Sequence, residues 1–196
     1  MPEGLTVART ELILGGQKSG KSRRAEQLAS AWLAQSPQHR AVLIATAHAG
    51  DDEMRQRIAR HQQDRAARVP DMLTIEEPLA LAEAITQHGN AHTLVLVDCL
   101  TLWLTNWLFP DAEFKKNRPL APESRAQEAM LLIAIKQTAG PVVLVSNEIG
   151  LGVIPMGRPT REFVDTLGRL NQGVAVASER VTFMAAGLPL MLKGQS

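Results

Sequence analysis

The glycine-rich segment Gly15–Ser22 constrains the fold of this 196-residue chain more than any other feature. It follows the apolar residues Leu12–Leu14 and fits the pattern G-x-x-x-x-G-K-[ST]. In this pattern the glycines allow successive backbone N–H groups to turn inward around an anion, and the helix that follows adds its positive N-terminal end. The segment therefore predicts a strand, a phosphate-binding loop (P-loop) and a helix, in that order.

The loop also predicts that the chain binds a nucleoside triphosphate, such as ATP or GTP. We expect Lys21 to be catalytic by reaching the β- and γ-phosphates, and the Ser22 hydroxyl to coordinate Mg²⁺. The alternative is a glycine-rich turn capped by a serine. The predicted nucleotide-binding residues of the loop are Gly15, Gly16, Gln17, Lys18, Ser19, Gly20, Lys21 and Ser22.

Besides the serine hydroxyl, an acidic residue is needed to hold the metal ion of such a site. The apolar run Leu94–Val97 ends in Asp98, and a carboxylate beside a buried strand is costly unless it has a function. We therefore expect Asp98 to be the second metal ligand. The alternative is that Asp98 caps a helix that begins near Leu100.

Short apolar runs alternate with longer segments of helical periodicity, which predicts a three-layer α/β fold with a mostly parallel central sheet and helices on both faces. Gly187–Pro189 and the apolar residues that follow predict a C-terminal hairpin. Phe109–Ser124 contains three prolines and is expected to be a long surface loop. The predicted strands are Leu12–Leu14, Ala41–Ala45, Leu94–Val97, Val142–Val145 and Val181–Ala185. The predicted helices are Lys21–Gln35, Asp51–Arg68, Leu79–Gln87, Pro122–Thr138 and Thr160–Ser178.

Charge and composition exclude several classes of function. Because 21 basic residues balance 20 acidic ones, no overall field attracts the chain to nucleic acid or to an anionic membrane. The most apolar stretch is too short and too polar to span a bilayer. Cys99 is the one cysteine and cannot form an internal disulfide. We expect a cytoplasmic protein with a small-molecule substrate and no nucleic-acid partner.

A histidine on the predicted helix Asp51–Arg68 suggests chemistry beyond that of an ordinary kinase. Arg57, His61 and Arg65 are spaced at four-residue intervals and so lie on neighbouring helix surface. Two guanidinium groups one turn away favour the neutral form of the imidazole, which is the nucleophilic form. The alternative is a solvated helix face with a surface histidine.

Four segments resemble the motifs of one enzyme family. They are GGQKSGKSRRAE, IATAHAGDDEMRQRIARHQQDR, VDCLTLWLTNWLF and VVLVSNEIGLGVIPMGRPTREFVDTLGRLNQGVA. On these segments the chain resembles the bifunctional adenosylcobinamide kinase/adenosylcobinamide-phosphate guanylyltransferases of cobalamin biosynthesis. The resemblance covers nearly the whole chain after the first ten residues. We therefore expect an N-terminal extension, 1–10, and a single P-loop catalytic domain, 11–196.

The resemblance implies two activities on one chain. A nucleoside triphosphate, ATP or GTP, phosphorylates the hydroxyl of the aminopropanol arm of adenosylcobinamide. GMP from GTP then passes through a GMP-histidine to the new phosphate, giving adenosyl-GDP-cobinamide. Arg57–His61 matches the family pattern R-I-x-x-H, which makes His61 the nucleophile and His48 the weaker candidate. A homo-oligomer, a trimer, is also implied.

The resemblance implies nucleotide contacts outside the loop as well. One of these contacts is the acid Glu76, which lies next to a second glutamate, Glu77. Two alternatives to the bifunctional enzyme are a small-molecule kinase without guanylyltransfer and a nucleotide-dependent regulatory module. The implied nucleotide-binding residues are Thr46, Ala47, His48, Gln62, Gln63, Asp64, Arg65, Glu76 and Asp98.

Four further side chains have open roles at this stage. Glu148 follows the fourth predicted strand, where it would act as a general base on the cobinamide hydroxyl or orient a loop. Arg158, Arg161 and Arg169 are either phosphate ligands or solvated helix charges.

Overall fold

The computed structural model describes residues 5–48, 67–110, 124–153 and 155–194. Within these ranges most strands are followed by a helix, as the sequence predicts. The strands are β1 (Thr10–Gly15), β2 (Arg40–Ala45), β3 (Met72–Glu76), β4 (Thr93–Asp98), β5 (Val142–Val145), β6 (Arg180–Ala185) and β7 (Leu188–Lys193). The helices are α1 (Lys21–Leu33), α2 (Leu81–His88), α3 (Leu100–Leu108), α4 (Ser124–Gln137) and α5 (Arg158–Ala177).

The seven described strands form one sheet in the order β3-β2-β4-β5-β1-β6-β7. All neighbouring strands are parallel except β6 and β7, which form an antiparallel hairpin. The register places Ala45, Asp98 and Val145 side by side at the carboxyl ends of β2, β4 and β5. Ligands of parallel α/β sheets bind beyond this edge.

Two apolar clusters cover the two faces of the sheet. On one face α1 packs through Ala25, Leu28 and Ala29. On the other face α2 to α5 pack through large side chains such as Trp103 and Leu131. The central strands are buried on both faces, which explains their unbroken Val, Ile and Leu runs. The predicted three-layer fold with a C-terminal hairpin is confirmed.

Strand β3 was not among the predicted strands, and helix α3 entered the prediction only as a helix that begins near Leu100. Strand β3 is an edge strand whose Leu73 is 59% exposed, so its sequence lacks the apolar run that identifies the central strands. Helix α3 lies within a stretch so apolar throughout that it shows little helical periodicity. Most of the predicted helix Asp51–Arg68 and of the predicted loop Phe109–Ser124 lies outside the described residues.

Residues of the predicted N-terminal extension contact the rest of the fold. Leu5 and Val7 pack beside the α1 face of the core. The Arg180 guanidinium donates to the Thr6 carbonyl oxygen at 2.6 Å and also contacts the fully buried carboxylate of Glu11 at 3.3 Å. A buried carboxylate needs such partners to offset the loss of solvation.

Glu11 also connects the sheet to the helix that follows the P-loop. Its carboxylate accepts a hydrogen bond from the Thr182 hydroxyl at 2.8 Å, and Arg24 of α1 lies 3.8 Å away. These contacts hold α1 in place relative to β1 and β6. No helix in the described residues is both long enough and apolar enough to cross a membrane.

Candidate active site

Two glycines of the loop between β1 and α1 have backbone angles that other residues rarely adopt. Gly15 has a φ of 151° and Gly20 a φ of 103°. A Cβ atom on Gly15 would lie 2.4 Å from the Met184 carbonyl oxygen, so the loop passes too close to β6 for a side chain. The Gly187 N–H, in the turn after β6, donates to the Ser19 carbonyl oxygen at 3.0 Å. The hairpin thus supports the P-loop.

Lys21, the first residue of α1, directs its ammonium group back into the loop. Its Nζ donates to the Gly16 carbonyl oxygen at 2.7 Å, and the residue is only 8% exposed. Burial lowers the pKa of Lys21 from its ordinary value, while Cys99 and Asp98 oppose this shift. The Ser19 hydroxyl oxygen is buried without a hydrogen-bond partner among the described residues. Both groups are donors suited to phosphate oxygens.

Ser22 and Asp98 meet at the carboxyl edge of the sheet. The Ser22 hydroxyl donates to Asp98 Oδ2 at 3.4 Å, although the two residues are 76 positions apart. Asp98 does not cap α3: the N-cap position is Cys99, and no side chain caps that helix. The structure therefore brings together the two residues predicted to hold the metal ion.

Thr46 occupies a buried junction between strand ends. Its hydroxyl donates to the Cys99 carbonyl oxygen at 2.7 Å and accepts from the Cys99 N–H at 2.9 Å. The Asn106 side chain donates to the carbonyl oxygens of Thr46, at 2.8 Å, and Pro78, at 3.1 Å. These bonds join the ends of β2 and β4 to α3 and to the segment after β3. Sequence reasoning did not identify Asn106, although a polar residue within the apolar α3 was its available signal.

Cys99 is expected to react slowly with thiol reagents in the native protein. Burial, with a smaller contribution from Asp98, raises the pKa of Cys99 to about 11. At pH 8 only about one Cys99 thiol in a thousand would then be ionised, against about a quarter for an ordinary cysteine. Because the chain has one cysteine, labelling with Ellman's reagent reports this site alone. We expect native labelling at least about 100-fold slower than labelling in guanidinium chloride, and comparable rates would contradict this burial.

Glu76 and Glu77 have different surroundings although they are adjacent. Glu77 Oε1 accepts from the N–H groups of Leu79 at 2.9 Å and Ala80 at 2.7 Å, just before α2 begins. Glu76 ends β3 with an exposed side chain and lies beside Ala45 in the register. Glu77 is therefore occupied just before α2, and of the two acids Glu76 remains the predicted nucleotide contact.

A pair of variants separates these two roles. Glu77→Ala removes the acceptor of two backbone N–H groups just before α2 and is expected to lower the free energy of unfolding by about 1 kcal/mol, with little change in nucleotide affinity. Glu76→Ala is expected to weaken nucleotide binding with little change in stability. Urea unfolding and fluorescence titration with a labelled GTP analogue measure the two effects. The opposite assignment of effects would show that Glu77 is the ligand-facing acid.

The segment after β5 lies directly against the P-loop. The Glu148 N–H donates to the Gly15 carbonyl oxygen at 3.1 Å, and the Glu148 carboxylate accepts from the Gly150 N–H at 2.9 Å. Asn171 of α5 donates to the Asn147 carbonyl oxygen at 3.1 Å. These contacts favour the loop-orienting role of Glu148 and add Asn171 as a support that sequence reasoning missed. The available signal was a polar residue at a position that the spacing of Leu167, Leu170 and Val174 assigns to the apolar face of α5.

The family model for cobinamide kinase / cobinamide phosphate guanyltransferase matches residues 11–192. The chain belongs to this family. The predicted resemblance is confirmed. The bifunctional adenosylcobalamin biosynthesis protein CobP of Pseudomonas aeruginosa is 47% identical over 186 residues, which cover 94% of this chain and 98% of that protein. The CobU proteins of Escherichia coli and Salmonella typhimurium are each 35% identical, covering 93% of this chain and 98% of theirs.

A solved structure also resembles this cobinamide kinase / guanyltransferase family member in fold. The flagellar accessory protein FlaH from Methanocaldococcus jannaschii aligns with a TM-score of 0.51 and 13% identity, over 99% of this chain and 82% of that one. At this identity the likeness concerns the fold alone.

Part of the predicted site lies outside the described residues. His61, Gln62, Gln63, Asp64 and Arg65 belong to this part. Ala47 and His48 are described, and both are half-buried just after β2. The described part of the site therefore consists of the P-loop, the Ser22–Asp98 pair, the Thr46 junction and the ends of β3 and β5.

Proposed function

We propose that this chain catalyses two successive transfers in cobalamin biosynthesis. It phosphorylates adenosylcobinamide with a nucleoside triphosphate, and it then transfers GMP from GTP to the new phosphate, giving adenosyl-GDP-cobinamide. The observation that carries this proposal is the P-loop joined to Asp98 at the carboxyl edge of the sheet, in a chain that matches the family over residues 11–192. Membership of that family distinguishes it from other P-loop kinases and from regulatory modules.

In the kinase step the protein positions the transferring phosphoryl group and stabilises its charge. The hydroxyl of the aminopropanol arm attacks the γ-phosphorus, the bond to the β-phosphate oxygen breaks, and a nucleoside diphosphate leaves. The loop N–H groups and the N-terminal end of α1 bind the phosphates. Lys21 supplies a buried positive charge close to the site of transfer. Gly15–Ser22 is thus proposed as the shared triphosphate site.

The residues beside the P-loop fit a Mg²⁺ ion. Ser22 Oγ and Asp98 Oδ2 are oxygen ligands 3.4 Å apart, and Mg²⁺ prefers oxygen ligands together with waters and substrate phosphates. When bound, the ion supplies charge neutralisation on the phosphate oxygens. The Thr46 junction contributes indirectly, because it fixes Cys99, the residue that follows Asp98.

In the second step we assign the nucleophile to His61. The neutral imidazole attacks the α-phosphorus of GTP, the bond to the β-phosphate breaks, and pyrophosphate leaves. The phosphate of adenosylcobinamide phosphate then attacks the same phosphorus and releases the histidine. The nucleotide is proposed to contact Thr46–His48, Gln62–Arg65, Glu76 and Asp98. Since the Thr46 hydroxyl is hydrogen-bonded to Cys99, Thr46 contributes by positioning the residues next to it.

We also propose that the chain forms a homotrimer in the cytoplasm, as the family resemblance implies. Strand β7 lies at an edge of the sheet, and Leu188, Leu190 and Leu192 on alternate positions of it are each more than half exposed. Exposed apolar stripes of this kind favour association. Light scattering coupled to size exclusion tests the oligomeric state, and a monomer at working concentration would contradict it.

The proposed function is tested by following the corrinoid product. The purified chain is incubated with adenosylcobinamide, Mg²⁺ and either ATP alone or GTP. With ATP alone the corrinoid is expected to gain one phosphate, and with GTP it is expected to gain a phosphate and then GMP. Mass spectrometry of the corrinoid distinguishes these products. A kinase alone would stop at the first product with either nucleotide, and a regulatory module would give neither product.

A further inference from the structure

A cavity of about 850 Å³ lies between the loop after β5 and the N-terminal half of α5. One wall contains Ile149, Gly150, Gly152 and Val153, and the other includes Gly168 of α5. This volume is within the range of small-molecule sites and is suited to a large ligand. A second cavity, beside Trp103 and Arg169, measures about 60 Å³ and is too small for a large ligand.

The position of the cavity connects it to the P-loop without overlapping it. The wall that contains Gly150 begins at Glu148, whose N–H donates to the Gly15 carbonyl oxygen at 3.1 Å. No residue of Gly15–Ser22 lines the cavity. The lining residue Ile149 directly follows Glu148, so the cavity begins one residue from a P-loop contact, a position suited to a phosphoryl acceptor.

The lining of the cavity fits an apolar molecule with polar arms. Val153 is 96% exposed and Ile149 is 41% exposed, so these side chains offer apolar surface that a ligand would cover. Arg158, Glu162, Asp165 and Gln172 surround it with both hydrogen-bond donors and acceptors. The charges of the lining nearly balance, since Arg158, Arg161 and Arg169 accompany the carboxylates of Glu162 and Asp165. Amide groups on a ligand, which both donate and accept hydrogen bonds, match this lining.

Arg161 holds one wall of the cavity in place. Its guanidinium donates to the Pro155 carbonyl oxygen at 3.1 Å and to that of Met156, which ties the end of the loop to α5. Arg158 is paired with Glu162 at 2.8 Å on the solvent side. Of the three arginines predicted as possible phosphate ligands, Arg161 therefore serves to hold a wall of the cavity.

We propose that this cavity binds the corrinoid substrate. This inference rests on the proposed function. The corrin ring lies against the apolar wall, the amide arms reach the polar lining of α5, and the hydroxyl arm extends past Glu148 towards the P-loop. The cavity is thus the acceptor site of the kinase step, separate from the nucleotide site.

Two glycines on opposite walls allow the cavity to be filled without disturbing the fold. A Cβ atom on Gly168 or on Gly152 would meet no other atom within 4 Å. Gly168→Ala and Gly168→Leu introduce residues of similar, high helix propensity but different volume. A difference in cobinamide binding between these two variants therefore reports the effect of the volume that the leucine fills.

The test measures binding of cobinamide by equilibrium dialysis and its KM in the kinase assay. Gly168→Leu is expected to raise Kd and KM for cobinamide at least about 10-fold, while Gly168→Ala changes them less than about threefold. The Kd for GTP should stay within about twofold of wild type in both variants. Gly152→Leu, on the facing wall, is expected to act like Gly168→Leu and provides the test if either leucine variant fails to fold.

Wild-type affinity for cobinamide in both leucine variants would overturn the cavity assignment while leaving the proposed function intact. An equal loss of GTP and cobinamide binding would also overturn it, because the effect would then not be confined to the acceptor. Failure of the wild-type chain to phosphorylate cobinamide at all would instead overturn the proposed function.

Discussion

Lys21→Ala is expected to reduce the rate of the kinase step by at least about 100-fold, or about 3 kcal/mol of transition-state stabilisation. The Lys21 ammonium group is buried within the loop, 2.7 Å from the Gly16 carbonyl oxygen, so its charge acts on phosphate with little screening by water. Phosphoryl transfer depends largely on such charge stabilisation. Steady-state phosphorylation of adenosylcobinamide measures the loss.

Arg23→Ala is the matched control for this variant. Arg23 is exposed, lies two residues further along α1 and carries the same charge. Its replacement is expected to change the kinase rate less than about threefold. Circular dichroism of both variants should match that of the wild type. A folded Lys21→Ala protein with near-normal kinase turnover would contradict the assignment of the P-loop.

His61→Ala is expected to abolish transfer of GMP while leaving the kinase step largely intact. The kinase step needs a positioned phosphoryl group and a metal ion, whereas GMP transfer needs a nucleophile that holds GMP between two substrates. The two steps are measured separately by supplying adenosylcobinamide with ATP, or adenosylcobinamide phosphate with GTP.

His48→Ala tests the competing histidine. Its side chain is described and half-buried just beyond β2. We expect this variant to bind GTP more weakly, because His48 is a proposed nucleotide contact, but to retain GMP transfer at saturating GTP. Loss of transfer in His48→Ala but not in His61→Ala would keep the mechanism and change the residue. Full transfer in both variants would contradict a histidine intermediate.

The sequence predicted the P-loop well because each of its requirements is local. Gly15 and Gly20 are needed for their own backbone angles, and Lys21 contacts a carbonyl group five residues away. The pairing of Ser22 with Asp98 was also predictable. Parallel strands place their carboxyl ends at one edge, so an acid that ends a central strand must lie near the loop that ends another.

The remainder of the site depends on contacts between distant residues. Thr46 meets Cys99 across 53 positions and Asn106 across 60, and no local pattern in the sequence specifies those partners. Glu76 and Glu77 differ in surroundings because Glu77 lies beyond the end of β3, where its carboxylate accepts from the backbone N–H groups of Leu79 and Ala80. The cavity beside α5 arises from a loop and a helix whose spacing is set by Arg161.

The most direct test of the central claim, that this chain carries GMP on its own histidine, is the mass of the protein after incubation with GTP and Mg²⁺ alone. We expect the intact mass to rise by one GMP unit. The label should come from α-labelled but not γ-labelled GTP, since attack at the α-phosphorus expels both outer phosphates. As a phosphoramidate, the adduct should resist base and break in acid. An unchanged mass in a preparation that still transfers GMP to adenosylcobinamide phosphate would contradict the claim.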